Sequence, residues 1–326
     1  MSPFTKKSRL FIHAVTVLVG LVVVYLMGFT KPTGPIETPT QTGFWQAPDD
    51  RELPPGAAGA QIRYGRALIA RTSDYLGPKG TVKPLGNGMN CQNCHLDAGT
   101  RVYGNNYSAV VSTYPKFREI SGTVESVVRR VSDCFERSLN GKAPDSTSRE
   151  MKAIVAYLTW LGKAVPKGQR PAGVGLLTLP YPDRPADPVR GQAVYLRLCQ
   201  SCHGPEGESV RVPGSREFVY PPVWGAQSYG DGAGLFRLTN LAGYVKVNMP
   251  YGTAAYNNYV LTDEEAWDVA AFINAQPRPH QNQSHDWPDI RTKPIDFPFS
   301  PYADSFSEKQ HKFGPFAPIA AARKAP

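Results

Sequence analysis

Four of the five cysteines fall into two copies of C-x-x-C-H, Cys91-Gln92-Asn93-Cys94-His95 and Cys199-Gln200-Ser201-Cys202-His203. This spacing is the pattern of covalent c-type haem attachment. In each copy the two cysteines would bond the haem vinyl groups, and His95 or His203 would supply the proximal nitrogen. A single copy arises by chance or marks a metal or redox site; two copies in one exported chain are a specific signal. The expected cofactors are therefore two covalently attached haem c groups.

The identity of the sixth ligand on each iron is a main lever on potential and reactivity. For the second haem the candidate is Met249, in Val247-Asn248-Met249-Pro250, 50 residues after Cys199. The competing reading is a core methionine filling a gap. Met89 adjoins a motif and is poorly placed to reach across the ring, Met151 sits on a helix, and Lys246 is a lesser rival. The first half has no methionine at the matching place. It has Cys134, 43 residues after Cys91. A buried, unpaired thiol is the bland alternative, but free thiols are uncommon outside the cytoplasm. Cys134 is read as an axial thiolate, which lowers the potential of its haem, whereas Met/His ligation raises it. Electrons should then run from the first haem to the second.

A sulfur beside iron is also a nucleophile able to exchange with other sulfur species. Arg118, Arg129, Arg130 and Arg137 are nearby cations suited to oxyanions such as sulfonates, with Ser138 as a hydroxyl donor. Of these, Arg118, Arg130, Arg137 and Ser138 join Cys134 as the candidate catalytic set. The bland reading of each arginine is an exposed helix face or a haem-propionate partner.

These residues need a scaffold. Lys6, Lys7 and Arg9 precede an apolar run from Leu10 to Phe29, long enough to cross a bilayer core. No convincing small-x-small site follows it, so residues 1–30 are expected to be an uncleaved anchor with the remainder exported; a cleaved signal is the alternative. Residues 31–59, rich in Pro, Thr and Gly, read as a linker. Residues 60–165 form a first unit, with a helical pattern at Ile62–Ile69, the first haem motif, and an amphipathic stretch at Glu150–Leu161. Residues 166–188 separate it from a second unit, 189–276. That unit opens with a short helix over Val189–Leu198 and closes with one over Asp263–Ile273, capped by Thr262. The order of helix, motif, loop with distal ligand and terminal helix resembles the class I cytochrome c fold, present twice. The fold expected is thus mainly α and loop-rich, two such domains behind a membrane helix. Residues 277–326 have little periodicity and many aromatics, and read as an ordered strap wrapping the domains.

The chain of 326 residues is long enough for two domains. Its net charge is +9, from 36 Lys and Arg against 27 Asp and Glu. Haem propionates would bring this to about +5. No dense basic run interleaved with aromatics occurs, so nucleic acid is not an expected partner. A diffuse basic field suits a small dianion.

Three segments carry a family resemblance. Cys134-Phe135-Glu136-Arg137-Ser138-Leu139-Asn140-Gly141-Lys142 resembles the segment that holds the cysteine haem ligand in dihaem thiosulfate dehydrogenases. Val247-Asn248-Met249-Pro250-Tyr251-Gly252 resembles their second-haem methionine loop. Asp286-Trp287-Pro288-Asp289, with Gln310 through Phe316, resembles their tail. The likeness runs from about Ile62 to Ile319 and implies oxidation of two thiosulfates to tetrathionate, or the reverse. It places the chemistry at a His95/Cys134 haem, through a Cys134–thiosulfate adduct, with a His203/Met249 haem relaying electrons to a periplasmic or membrane-associated protein such as a cytochrome c. Some relatives have a lysine before the methionine that can replace it on the iron. Here that residue is Asn248, so no ligand switch is expected and the preferred direction stays open. The alternatives are a non-catalytic dihaem electron carrier and a sulfur-transfer cytochrome akin to the haem-thiolate subunit of the Sox system.

Overall fold

The computed structural model describes residues 43–209, 218 and 220–324. The expected membrane anchor, residues 1–30, lies outside the described residues. Among those described, no helix is long and apolar enough to cross a membrane.

Eight helices carry the architecture: α1 (Gly56–Ala70), α2 (Val127–Arg137), α3 (Arg149–Leu161), α4 (Pro188–Leu198), α5 (Leu238–Asn248), α6 (Asp263–Ala275), α7 (Glu308–Phe313) and α8 (Phe316–Ala322). The two strands described, β1 (Lys116–Arg118) and β2 (Thr123–Glu125), pair antiparallel with Phe117 opposite Val124. Long loops join these elements and hold both haem motifs.

Each half is built on one crossed helix pair, α1 with α3 and α4 with α6. Both crossings use the same device. A Cβ on Gly65 would sit 2.0 Å from the carbonyl oxygen of Ala153 in α3. A Cβ on Gly191 would sit 1.9 Å from that of Asp268 in α6. Only a residue without a side chain lets these backbones touch.

Local chemistry sets the helix ends. Ser148 accepts from the Met151 N–H at 3.2 Å to start α3. Asp187 accepts from Val189 N at 2.8 Å to start α4. Thr262 and Glu265 exchange side-chain and backbone bonds in a capping box at the start of α6, with three acids in the first turn. On their inner faces α3 buries Met151, Ile154, Tyr157, Leu158 and Leu161, and α6 buries Trp267, Val269, Ala270 and Ile273. These side chains merge into one apolar core spanning both halves.

Three segments carry more structure than their sequence signals. Helix α1 begins at Gly56, inside the stretch 31–59 read as linker. Its first turn contains Ala57, Ala58 and Ala60, strong helix formers masked by the neighbouring Pro and Gly. Residues 166–188 also do more than tether the halves. Ala172 bridges to Phe44, and Gly173 and Gly175 accept from the N–H groups of Tyr103 and Asn105. Arg184 forks onto buried Asp268 with both bonds at 2.8 Å. Third, the aperiodic tail contains α7 and α8, six and seven residues long. Such lengths leave no periodic signal, yet Phe316 and Ile319 of α8 are fully buried, with Phe316 beside Trp267.

Gly191→Ala should lower stability by about 1–3 kcal/mol through overpacking. Thermal unfolding of the haem-loaded protein, compared with an alanine at exposed Val189, measures this.

Candidate active site

The first haem motif is held in a locked turn. Cys91 N–H donates to Thr72 Oγ1 at 2.9 Å, and Asn93 accepts from Asn90 N at 2.7 Å. His95 Nδ1 lies 2.7 Å from the Asn105 carbonyl oxygen. A carbonyl only accepts, so Nδ1 carries the proton and Nε2 keeps a free lone pair. Burial pushes the imidazole pKa down to about 4, keeping it neutral. Tyr107 stacks on the ring at 4.4 Å.

Cys91, Cys94 and His95 line a cavity of about 230 Å³, and Cys134 lines the same cavity from α2. Ser126 caps α2 by accepting from Arg129 N at 3.2 Å. Helical spacing then puts Val127, Arg130, Val131, Cys134 and Ser138 on the cavity side.

A second cavity, of about 80 Å³, is lined by Cys199, Cys202, His203 and Met249. His203 Nδ1 meets the Pro221 carbonyl at 2.8 Å, repeating the orientation of His95. Met249 follows the last residue of α5 in extended conformation. Met89 also lines this second cavity rather than the one beside its own motif. The rival Lys246 is engaged elsewhere, donating to Leu261 O at 2.7 Å and pairing with Asp263 at 2.6 Å. Buried Asn248 donates to Tyr103 O and Tyr244 O.

Both cavities suit a covalently held haem. Each joins two thiols, a neutral imidazole fixed through Nδ1 and a sulfur from another element, within apolar walls. Burial pushes the Cys91 and Cys94 thiols up, to about 11 and 12, and Cys199 to about 12. Cys94 borders both cavities, and Tyr244, which borders the second, donates to Asn93 O at 2.7 Å. The two sites are therefore immediate neighbours.

Electrostatics distinguish the first site. Its walls include Lys116, Arg118, Arg130 and Arg170 and no carboxylate. Arg118 donates to Tyr114 Oη at 2.8 Å and stands 3.9 Å from Glu125. The Arg130 guanidinium has neither hydrogen bond nor ion pair among the described residues, and the adjacent Cys134 sulfur raises its pKa. Burial and then Arg118, Arg170 and Arg130 lower that of Lys116. An anion in this cavity would favour the charged form of Lys116.

The structure thus brings Cys134, Arg118, Arg130 and Ser138 together around one cavity. Arg137 points from another side of α2 and forks onto Asp286 of the tail. Asn140 and Gly141, from the most recognisable segment, serve packing. Asn140 takes a left-handed φ of 48° and donates to Ser228 O at 2.8 Å across the halves. Sequence reasoning missed Lys116, Arg170 and Tyr107. Lys116 shares a strand face with Arg118, a two-residue spacing that could have flagged it. Arg170 had no such signal, because it sits in the Pro/Gly-rich stretch read as a spacer.

Known proteins match this arrangement. The SoxA/TsdA cytochrome c domain family matches residues 83–166, and the cytochrome c family matches residues 188–277. The chain is similar to the thiosulfate dehydrogenase of Stutzerimonas stutzeri, 34% identical over 236 residues, covering 72% of this chain and 73% of the relative. That of Thiomonas intermedia is 38% identical over 232 residues, covering 71% and 70%. That of Allochromatium vinosum is 37% identical over 231 residues, covering 70% and 82%. The solved thiosulfate dehydrogenase (TsdBA) from Marichromatium purpuratum, in its "as isolated" form, aligns with a TM-score of 0.67 at 34% identity. That alignment covers 73% of this chain and 50% of the other, so the chain spans half the length of that relative. Fold and matches together define a protein of two cytochrome c domains, which imply haem c. The chain belongs to the SoxA/TsdA family of thiosulfate dehydrogenases.

Asp286→Asn removes one charge of a mostly buried pair and should loosen the tail by about 1–3 kcal/mol. Hydrogen exchange should show loss of protection near residues 280–297, with the α4–α6 pair unchanged.

Proposed function

We propose that this chain oxidises two thiosulfates to tetrathionate at Cys134 and can run in reverse. One observation carries the reading: a cysteine and four cations share a cavity wall free of carboxylates. In an electron carrier such cations would serve only as haem-propionate partners, whereas a sulfur oxyanion uses both the Cys134 sulfur and the charge beside it.

In this mechanism the cations gather a thiosulfate dianion and hold its sulfonate oxygens, Arg130 through its free guanidinium and Ser138 through its hydroxyl. The sulfane sulfur bonds to the Cys134 sulfur, giving Cys134–S–S–SO3⁻ with loss of two electrons. A second thiosulfate attacks the sulfane sulfur, releases tetrathionate and returns the electron pair to Cys134. The net reaction moves no proton, which fits the lack of a carboxylate or second histidine on the wall. Two haem c groups, held by Cys91, Cys94, His95 and Cys134 and by Cys199, Cys202, His203 and Met249, would accept the two electrons and pass them outward.

Arg137, paired with Asp286, enters as a support for α2 rather than as a direct substrate contact. Asn248 supports the absence of a ligand switch, since it has no amine and its amide is already bonded. Cytochrome c domains suggest a periplasmic setting. The apolar segment 10–29, following Lys6, Lys7 and Arg9, supports attachment to the inner membrane. The electron partner would be a periplasmic or membrane-associated carrier such as a cytochrome c.

The test is to assay the purified protein with thiosulfate and ferricyanide, and with tetrathionate and reduced viologen. Cys134→Ala should abolish both activities while mass spectrometry finds both haems attached; retained turnover would sink the mechanism. Arg130→Ala should raise the KM for thiosulfate about ten- to hundred-fold. Met249→Ala should lower the potential of one haem in a redox titration and slow electron exit more than sulfur chemistry.

A further inference from the structure

A second polar cavity, of about 280 Å³, adjoins the one at Cys134 and shares Arg118, Arg130 and Ser138 with it. Helix α2, the start of α5 and the tail all contribute to its walls. Its charge is arranged differently. Arg129 pairs with Asp133 at 2.8 Å, Arg137 with Asp286, and Arg237 with Asp296 at 2.6 Å. Paired arginines still present N–H donors but add little net charge. Exposed Gly234 forms part of the wall, so the cavity opens to solvent there. Buried Glu125 also lines this cavity, 3.9 Å from Arg118. Moving inward, an anion passes from these paired arginines to Arg130, which has no ion pair among the described residues, and then to a wall that carries no carboxylate.

The reaction proposed above needs two dianions at one sulfur in succession. After the first has reacted, its sulfonate still occupies the innermost cations. A second dianion in that same space would meet a negative group with no fresh donor. We propose that the adjoining cavity binds the second thiosulfate, which attacks from there across Arg118 and Arg130. This rests on the reading of Cys134 as the reacting sulfur. The step balances: Cys134–S–S–SO3⁻ and S2O3²⁻ become Cys134–S⁻ and S4O6²⁻. One bond forms between the two sulfane sulfurs, the bond to Cys134 breaks, and its electron pair stays on Cys134, with no proton or net electron transferred.

The test puts a negative charge into this cavity alone. A Cβ on Gly234 would meet nothing within 4 Å, so Gly234→Asp introduces a carboxylate without a clash. Asn240→Asp, nearly isosteric and in the first turn of α5, is the second variant. Val189→Asp, on a residue 77% exposed and outside both cavities, controls for charge. With the haem-loaded full chain, single-turnover haem reduction by limiting thiosulfate should stay within about two-fold in both variants, while the steady-state KM for thiosulfate rises about ten-fold. The control should change neither. An unchanged KM in both variants, or equal slowing of the single-turnover phase, overturns the second site. If the catalytic reading itself were wrong, the wild-type protein would make no tetrathionate, which separates the two failures.

Discussion

The close approach of two helix pairs is the constraint on which everything else rests. Gly65 against Ala153 and Gly191 against Asp268 bring backbones into contact, and the cavities open along the faces these pairs leave. Ile69 of α1 and Ile154 and Leu158 of α3 wall the first cavity. Tyr195 and Leu198 of α4 and Val269 and Ile273 of α6 wall the second. Each haem motif begins in a short turn beside its crossing, so the crossing sets where the thiols and the imidazole face. A flat apolar group would complete a core that these side chains alone do not fill.

On that shared plan the halves diverge at one ligand position. In the second half a methionine follows a helix in extended chain, against apolar walls, and its neighbours Asn248 and Lys246 are bonded elsewhere. In the first half a cysteine projects from within α2, with an arginine one turn before it and a serine one turn after. The helix thus delivers sulfur, charge and hydroxyl to one place at fixed spacing. Its remaining sides meet the tail and the second half, through Arg137 to Asp286 and Asn140 to Ser228. The chemistry-bearing helix is consequently held by three parts of the chain at once.

The charge distribution agrees with the proposed substrate class. Lys116, Arg118 and Arg130 are half-buried and Arg170 is exposed, and among them Arg118 has an acid partner, Glu125 at 3.9 Å, so the cations are offset only in part. The fold tolerates this because its crossed helix pairs and continuous core lie elsewhere. The carboxylates that could have neutralised the cluster stand one shell outward, on the adjoining cavity. In the proposed reaction a dianion would supply inside the site what those acids supply outside it.

Much of this was legible in the chain itself. Cysteine spacing marks both haem sites, the comparable intervals of 43 and 50 residues to Cys134 and Met249 single out the two sulfurs, and apolar periodicity with capping residues marks α3, α4 and α6. These signals are local, set by a few neighbouring residues. Helix α2 carries a short apolar stripe at Val127, Val131, Cys134 and Phe135, but Arg130 and Ser138 lie on the same cavity side, polar groups that are inward only because of what lies opposite. Lys116, Arg170 and Asp286 come from a short hairpin, a spacer-like stretch and the tail. Their roles depend on which distant segment each one meets, and that is decided by long-range packing. The sequence by itself marked both haem motifs and singled out Cys134; only the tertiary structure decided which cations surround that sulfur and which are neutralised by acids, because charge pairing is a property of proximity in space and not of spacing along the chain.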